Sequence, residues 1–394
     1  MSTNPSLPNP PSPFDSQGNP LEVGLALSAH IREAIAAHGG WIGFDRFMEM
    51  ALYAPGLGYY AHGSTKFGAL PQAHQGADGV RVDAGSDFVT APEMSPLFGR
   101  ALARQVAQAL AQTGTTEVWE FGAGSGALAA QLLEALGDKV KRYTIVDLSE
   151  SLKERQRTKL APYLHKVHWA TALPEVMQGV VVGNEVLDAM PVQLLARKGS
   201  VWHERGVVWQ DTEQGGRFAW GDLLTDLRPP LEIAGEHDYL TEIHPQAEAF
   251  VATLADRMQK GAVFMLDYGF PEAEYYHVQR HMGTVMCHRA HRSDTDPLSD
   301  VGLKDITTHI NFTGIAMAAQ NVGCEVLGYT SQAHFLFNCG IAEDLQSADV
   351  QQRVSAQRLL MEHEMGEFFK VIGWTCGEVW DALGFARGDR THRL

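Results

Sequence analysis

A carboxylate and three glycines at alternate positions, Glu120, Gly122, Gly124 and Gly126, form the pattern in this chain best suited to holding a nucleotide-like ligand. Glycines spaced this way let the backbone turn sharply and come closer to a ligand than any Cβ would allow. The apolar stretch after them predicts a helix over 127–136 whose N-terminus points at the same spot. Asp147 follows the last glycine by 147 − 126 = 21 residues, the separation at which an acid accepts both ribose hydroxyls of a bound nucleoside. Read permissively, 122–127 also satisfies the dinucleotide fingerprint, so the spacing suits NAD and S-adenosylmethionine equally. Glu120 separates them: a carboxylate there suits a cationic amino-acid end and sits awkwardly near a pyrophosphate. The plainer alternative is that Glu120 and Asp147 are solvated strand ends.

A second constellation, Asn184, Glu185 and Asp188, lies where another apolar strand runs out. Ligands of open parallel sheets bind at the carboxyl ends of the strands, so these residues face the same crevice as the glycine turn. Methyl transfer from a sulfonium leaves the protein to orient the acceptor. A guanidinium is always protonated, so using it as a nucleophile calls for acids that clamp its fork and take a proton, a role open to Glu185 and Asp188. The alternative is that Asp188 caps a helix and Glu185 meets an arginine.

Around these residues the hydrophobic rhythm is strand, helix, strand: 117–121, 127–136, 141–147, 151–160 and 179–183, then a helix over 245–258 and a fully apolar strand over 262–266 ending at Asp267. Alternation of this kind predicts an α/β fold, a parallel sheet covered by helices. Before it, 25–37, 43–52 and 97–110 read as amphipathic helices, and 63–87 as an exposed loop. Segment 194–220 reads as a small hairpin insertion and 270–311 as an irregular loop. A helix over 313–321, a strand over 324–329 and a last long helix over 350–372 complete the chain. The domain plan is a disordered tail over 1–20, a helical and loop region over 21–112 covering the site, and a Rossmann-like domain over 113–394. Insertions at about 194–243 and 270–311 shape its cleft.

The 394 residues, 45% hydrophobic, can bury a sizeable core. With 31 Lys and Arg against 47 Asp and Glu the net charge is −16, which gives non-specific binding to nucleic acid or acidic lipid no electrostatic footing. No apolar run is long enough to span a bilayer, and no signal or transit pattern is seen, so a cytoplasmic protein is expected. Cys287, Cys324, Cys339 and Cys376 are widely spaced and read as free thiols.

Other residues carry two readings each. Thr90 and Ser95 belong to a loop shaped by Pro92 that could cover the cofactor, or to an ordinary turn with Ser95 as helix N-cap. Tyr59 and Tyr60 offer aromatic faces to a cation or an adenine, or are core tyrosines. Asp267 adds to the negative lining of the site or is a solvated strand end. His277, His281, His288 and His291 invite a metal reading, but lacking H-E-x-x-H or a thiol pair they fit a substrate groove better, with His288 the candidate; no metal is expected.

These motifs together resemble the MidA family. The likeness lies in Gly58-Tyr59-Tyr60, in 87–95 followed by Phe98-Gly99, in the E-x-G-x-G-x-G turn, and in Asp147-Leu148-Ser149 with Leu152 and Gln156. It continues through 184–191, Asp267-Tyr268-Gly269, Gly283-Thr284 and 305–312, and so covers about 25–340. The resemblance implies a class I S-adenosylmethionine-dependent methyltransferase and, from the mitochondrial members, which assist assembly of respiratory complex I, a protein-arginine methyltransferase. Glu120, Gly122, Gly124, Gly126 and Asp147 become cofactor contacts, with Ala123 and Leu148 beside them, and Asn184, Glu185 and Asp188 line the reaction crevice. The family usually has Pro where this chain has Ala123 and Glu where it has Asp147; both changes keep the turn compact and the acceptor two-oxygened. A protein substrate is implied, with a complex I subunit as the candidate; separately, the large acidic surface and the helical C-terminal region would permit a homodimer without requiring one. Two rivals stand beside this reading. An NAD-dependent oxidoreductase would need a Tyr-Lys proton relay, which is not found, and an assembly chaperone would hold S-adenosylmethionine only as a structural ligand.

Overall fold

The computed structural model describes residues 20–61, 72–75, 81–84, 90–147, 150–213, 215–289 and 292–394. Its centre is an eight-stranded sheet whose path runs through β1 (Glu117–Phe121), β2 (Arg142–Val146), β3 (Val167–Ala170), β4 (Met177–Asn184), β5 (Met258–Phe270), β6 (Glu325–Ser331) and β7 (Phe369–Cys376), with the two-residue strand Ile310–Asn311 paired to the end of β5. Their order is β3-β2-β1-β4-β5-β7-β6. All neighbours are parallel except β7, which runs antiparallel to both β5 and β6. The inner strands are apolar on both sides because helices cover both faces. Val180 and Val182 pack under helices Pro96–Thr113 and Ala127–Leu136, while Val181 packs with Val251 and Ile315 of helices Pro245–Arg257 and Phe312–Gln320. Successive valines thus serve opposite cores, as the two-residue period of a strand requires.

The helix expected over 350–372 breaks in two. Helix Val350–Leu360 stops, a turn follows in which a Cβ on Gly366 would meet the Leu360 carbonyl at 2.4 Å, and the chain then extends as β7. The aromatic and β-branched residues from Phe369 to Thr375 carry no strong periodicity, and the slot between β5 and β6 decides their state.

Two expectations for the insertions are also corrected. Segment 194–220 is more than the small hairpin expected there: strands Gln193–Lys198, Val201–Gln210, Arg217–Leu224 and Tyr239–Ile243 build an antiparallel sheet that also takes Ile42–Gly43 from the N-terminal region. The approach there is close, since a Cβ on Gly206 would lie 2.2 Å from the Ile42 carbonyl, and Trp41 Nε1 donates to the Gly221 carbonyl at 2.8 Å. Helices Pro20–Ala37 and Phe44–Tyr53 pack on this sheet through Phe44, Phe47, Val207 and Phe218. Segment 270–311 carries a small sheet of Met286–Arg289, Arg292–Asp294 and Asp305–Thr307 rather than irregular loop alone.

Cys324 and Cys376 form a disulfide, with Cα atoms 4.4 Å apart, because the antiparallel pairing of β6 and β7 sets the two residues face to face across 52 residues of chain. The free-thiol reading holds for Cys287 and Cys339, which are buried. Among the described residues no helix is long and apolar enough to cross a membrane. The loop expected at 63–87 lies mostly outside the described residues; within it, Gln72–Gln75 and Arg81–Ala84 pair as a hairpin.

Candidate active site

The chain leaves β1 for β2 and β3 on one side and returns to β4 on the other, so the strand order reverses between β1 and β4. That reversal opens a crevice at the carboxyl ends of the two strands. A cleft of about 1010 Å³ lies there, lined by both constellations picked out above.

Its cofactor end begins at the glycine turn. Gly122, Gly124 and Gly126 have φ of +62°, +52° and +82°, values that any side chain would strain. Gly126 caps helix Ala127–Leu136, and Gly122, Ala123 and Gly124 line the cleft itself. One buried side chain ties the turn together: Gln156 Nε2 donates to the Gly124 carbonyl and to Asp147 Oδ2, both at 3.0 Å, and its Oε1 accepts from Trp169 Nε1 at 2.8 Å. Glu120 is buried and accepts from the Tyr143 hydroxyl at 2.7 Å. Burial pushes its pKa up to about 8; the Tyr143 hydrogen bond opposes this and the charge of Asp147 adds to it. A carboxylate held so uncomfortably favours a cationic ligand.

These residues fit S-adenosylmethionine. Glu120, a buried acid with no basic partner among the described residues, is placed for a positively charged end, and Asp147 lines the cleft as a carboxylate for hydroxyls. The backbone at Gly122 leaves little room, since a Cβ would lie 3.2 Å from Val186 Cγ2. Phe121, Leu152, Leu173 and Phe250 supply apolar wall.

At the acceptor end, Glu185 stands at φ +54°, a costly conformation for a side chain larger than glycine. Its N–H donates to the Leu266 carbonyl at 2.9 Å, and its Oε1 accepts from Asn184 Nδ2 at 2.9 Å. Asp267 Oδ2 accepts from the backbone N–H groups of Val186, Leu187 and Asp188 at 3.2, 2.9 and 3.2 Å, so the turn after β4 wraps around one carboxylate from β5. Tyr268, the next residue of β5, donates to Asp188 Oδ2 at 2.6 Å. Burial, then the nearby charge of Asp188, push Glu185 up to about 8; burial pushes Asp188 up to about 6, with the Tyr268 hydrogen bond opposing it. Among the described residues, the buried Asn184 Oδ1 and Asp188 Oδ1 have no hydrogen-bond partner.

Several candidates fall elsewhere. Asp267 is a support rather than lining: it is buried behind the turn, its oxygens taken by backbone N–H groups. Tyr59 is fully buried in the N-terminal core, while Tyr60 reaches the cleft. Ser95 is the N-cap of helix Pro96–Thr113, accepting from Leu97 N–H at 3.3 Å, whereas Thr90 lines the cleft. His288 lines it too, its pKa lowered by burial, and Leu148 and His291 lie outside the described residues. Among the described residues no group of three or more His, Cys, Asp or Glu could hold a metal ion.

The structure adds residues for which sequence reasoning had no role. Glu93, from the segment after Thr90, accepts from Ser125 of the glycine turn, and Lys159 Nζ donates to the same Ser125 hydroxyl at 2.9 Å. Tyr53 and Asp305 line the acceptor end. Asp305 and Tyr268 lie in segments that carry the MidA resemblance, 305–312 and 267–269, but nothing in their spacing announces a meeting with Tyr60 or Asp188.

Comparison with known proteins accords with this geometry. Residues 101–330 match a family described as "Putative S-adenosyl-L-methionine-dependent methyltransferase". A protein of Burkholderia thailandensis bound to S-adenosyl-homocysteine has the same fold, with a TM-score of 0.87 and 47% identity over 95% of this chain and 98% of that one. The chain is also 26% identical to the protein arginine methyltransferase NDUFAF7 homolog of Caenorhabditis elegans, over 78% of this chain and 75% of that protein. The Danio rerio NDUFAF7 is 26% identical over 89% and 87% respectively. The glycine turn, the paired acids and the strand order are those of a cofactor-binding α/β sheet, and the chain belongs to this family of S-adenosylmethionine-dependent methyltransferases.

Proposed function

We propose that this methyltransferase modifies arginine in a protein. The observation that carries the reading is the acidic lining of the cleft: Glu49, Glu93, Glu120, Asp147, Glu185, Asp188 and Asp305 line it, and no Lys or Arg does among the described residues. An acceptor with a fixed positive charge is what such walls attract, and a guanidinium is the protein group that keeps its charge at every relevant pH. The distant relatives named protein arginine methyltransferase support the same choice. Through the MidA resemblance, a subunit of a respiratory complex is the substrate class we favour.

Bound S-adenosylmethionine supplies an activated methyl group. Asp188 and Glu185 then have two tasks, to orient the acceptor nitrogen and to take the proton it releases as the new N–C bond forms. Both are deprotonated more readily once a cation sits beside them, since opposite charge pulls a raised carboxyl pKa back down. Asp267 and Tyr268 hold the turn that carries them.

The test is transfer of labelled methyl from S-adenosylmethionine to proteins of a cell lysate, with mass spectrometry of the labelled site. Label on arginine side chains is the expected result; label confined to lysine, carboxyl or small-molecule acceptors would overturn the reading.

A further inference from the structure

Large apolar side chains scattered singly over a protein surface are common and need no explanation. Phe368 differs from them in its place. It is 57% exposed, and of the exposed large hydrophobic residues among those described it alone lines the cleft. The acceptor end leads straight to it. Tyr268, which donates to Asp188 Oδ2 at 2.6 Å, packs edge to face on Phe369 with ring centroids 5.3 Å apart, and Phe368 is the residue just before, where β7 begins. The backbone that carries the exposed ring is fixed at some cost. Lys370 is only 6% exposed, and its Nζ donates to the carbonyls of Glu367 and Phe368, the second at 3.4 Å. Burial lowers its pKa, because taking an ammonium out of water opposes the arrangement. The Glu367 carboxylate accepts from both terminal nitrogens of Arg390, whose backbone N–H donates to the Tyr329 carbonyl at 2.6 Å. A turn tied on both sides thus presents an aromatic ring to water at the mouth of an acidic cleft.

Resting on the arginine reading, we propose that Phe368 is a docking residue for the substrate chain and takes an apolar side chain standing within two residues of the methylated arginine. Charge complementarity names the occupant. Acids line the cleft and no Lys or Arg does among the described residues, so a segment that enters past Phe368 carries a cation. The ring supplies the other half of the description, an apolar group close to that cation, since an exposed phenyl gains free energy by leaving water. An acidic lipid surface does not fit, because the chain itself carries a net charge of −16. A ring whose backbone is already held loses little freedom on binding, so the area it covers converts to affinity with little ordering cost. Acid wall and ring together read a cation and an apolar neighbour in one segment, a pairing that neither reads alone.

The full-length protein, saturated with S-adenosylhomocysteine, is titrated with two acetylated and amidated peptides that share a central arginine. One surrounds it with glycine, the other with leucine at the two positions on either side. The parent is expected to bind the leucine peptide about tenfold more tightly, the gain from burying one leucine side chain on a fixed ring. Phe368→Ser should remove that gain and leave the glycine peptide, S-adenosylhomocysteine affinity and thermal midpoint at the parent values. Phe368→Leu should keep most of the gain. A parent that binds the two peptides equally, or binds neither, overturns the inference, as does a Phe368→Ser variant that keeps the gain. A variant that weakens both peptides alike also overturns it, because the ring then touches the arginine itself. So does one whose sedimentation shifts from dimer to monomer, which assigns the ring to contact between copies. Lysine in place of arginine should weaken both peptides. Lysine peptides that bind as well as the arginine ones overturn the arginine reading, whereas the other failures overturn only the docking role of Phe368.

Discussion

At the scale of single residues, the cleft stores its chemistry in acids that are uncomfortable without a cation. Glu185 combines a left-handed backbone, a pKa near 8 and a neighbour, Asp188, whose charge opposes its own. Glu185→Gln keeps the shape and the Asn184 contact but removes proton acceptance. We expect methyl transfer to fall by about a hundredfold, the usual contribution of a positioned base, while S-adenosylhomocysteine affinity measured by calorimetry changes little. The pH dependence follows from the same groups. In the free enzyme Asp188 loses its proton near 6 and Glu185 near 8, so kcat/KM should climb with pH across that window. In kcat the rise should move to lower pH, because bound cations depress both values. A flat kcat/KM profile between pH 6 and 8.5 would remove both acids from the mechanism.

At the scale of elements, the glycine turn and the turn after β4 each depend on a polar side chain reaching in from another element. Gln156, on helix Glu150–Lys159, bonds the turn, Asp147 and Trp169 together. Gln156→Ala should weaken cofactor binding by about tenfold or more by leaving a buried carbonyl and indole N–H without partners. Circular dichroism should show the fold retained. Asp267→Ala should act differently, since it strips three backbone N–H groups of their acceptor and frees the turn carrying Glu185 and Asp188. We expect a loss of about 3 kcal/mol or more in urea unfolding, with catalysis reduced even where the protein is folded. Elements with one strong period, such as helix Ala127–Leu136 and the apolar run 262–266, were readable because their neighbours only confirm what local pattern demands. The first residues of β7, 369–372, fall inside the helix expected over 350–372 because they are mostly apolar without alternation, and the vacancy between β5 and β6 settles their state.

At the scale of the whole molecule, the ligand-free protein should be destabilised by rising pH. Glu120 and Glu185 have folded-state pKa values near 8 against about 4.5 unfolded, so between those limits the folded state binds more protons. The stability these groups support is present below the unfolded value and is lost as pH rises through the folded one. Differential scanning calorimetry should show Glu185→Gln melting above the parent at pH 8 and with it at pH 4.5, the gap closing when S-adenosylmethionine is bound. The Cys324–Cys376 disulfide acts on the same scale, since it closes 52 residues of chain across β6 and β7. On a chain-entropy estimate its reduction should cost about 4 kcal/mol, detectable as a lower urea midpoint for Cys324→Ser.

The amino-acid sequence by itself determined the parallel-sheet architecture, the glycine turn with Glu120 and Asp147, and the acids at the end of β4. Each rests on local period or short spacing, which the chain carries without its fold. Only the tertiary structure decided that Asp267 supports rather than lines the site, that Tyr60 and not Tyr59 reaches the cleft, and that Ser95 caps a helix. It alone brought Asp305 to Tyr60 across 245 residues and Tyr268 to Asp188 across 80. Partners so distant are selected by the packing of insertions against strand ends, and no periodicity along the chain encodes which half-buried tyrosine faces the cleft.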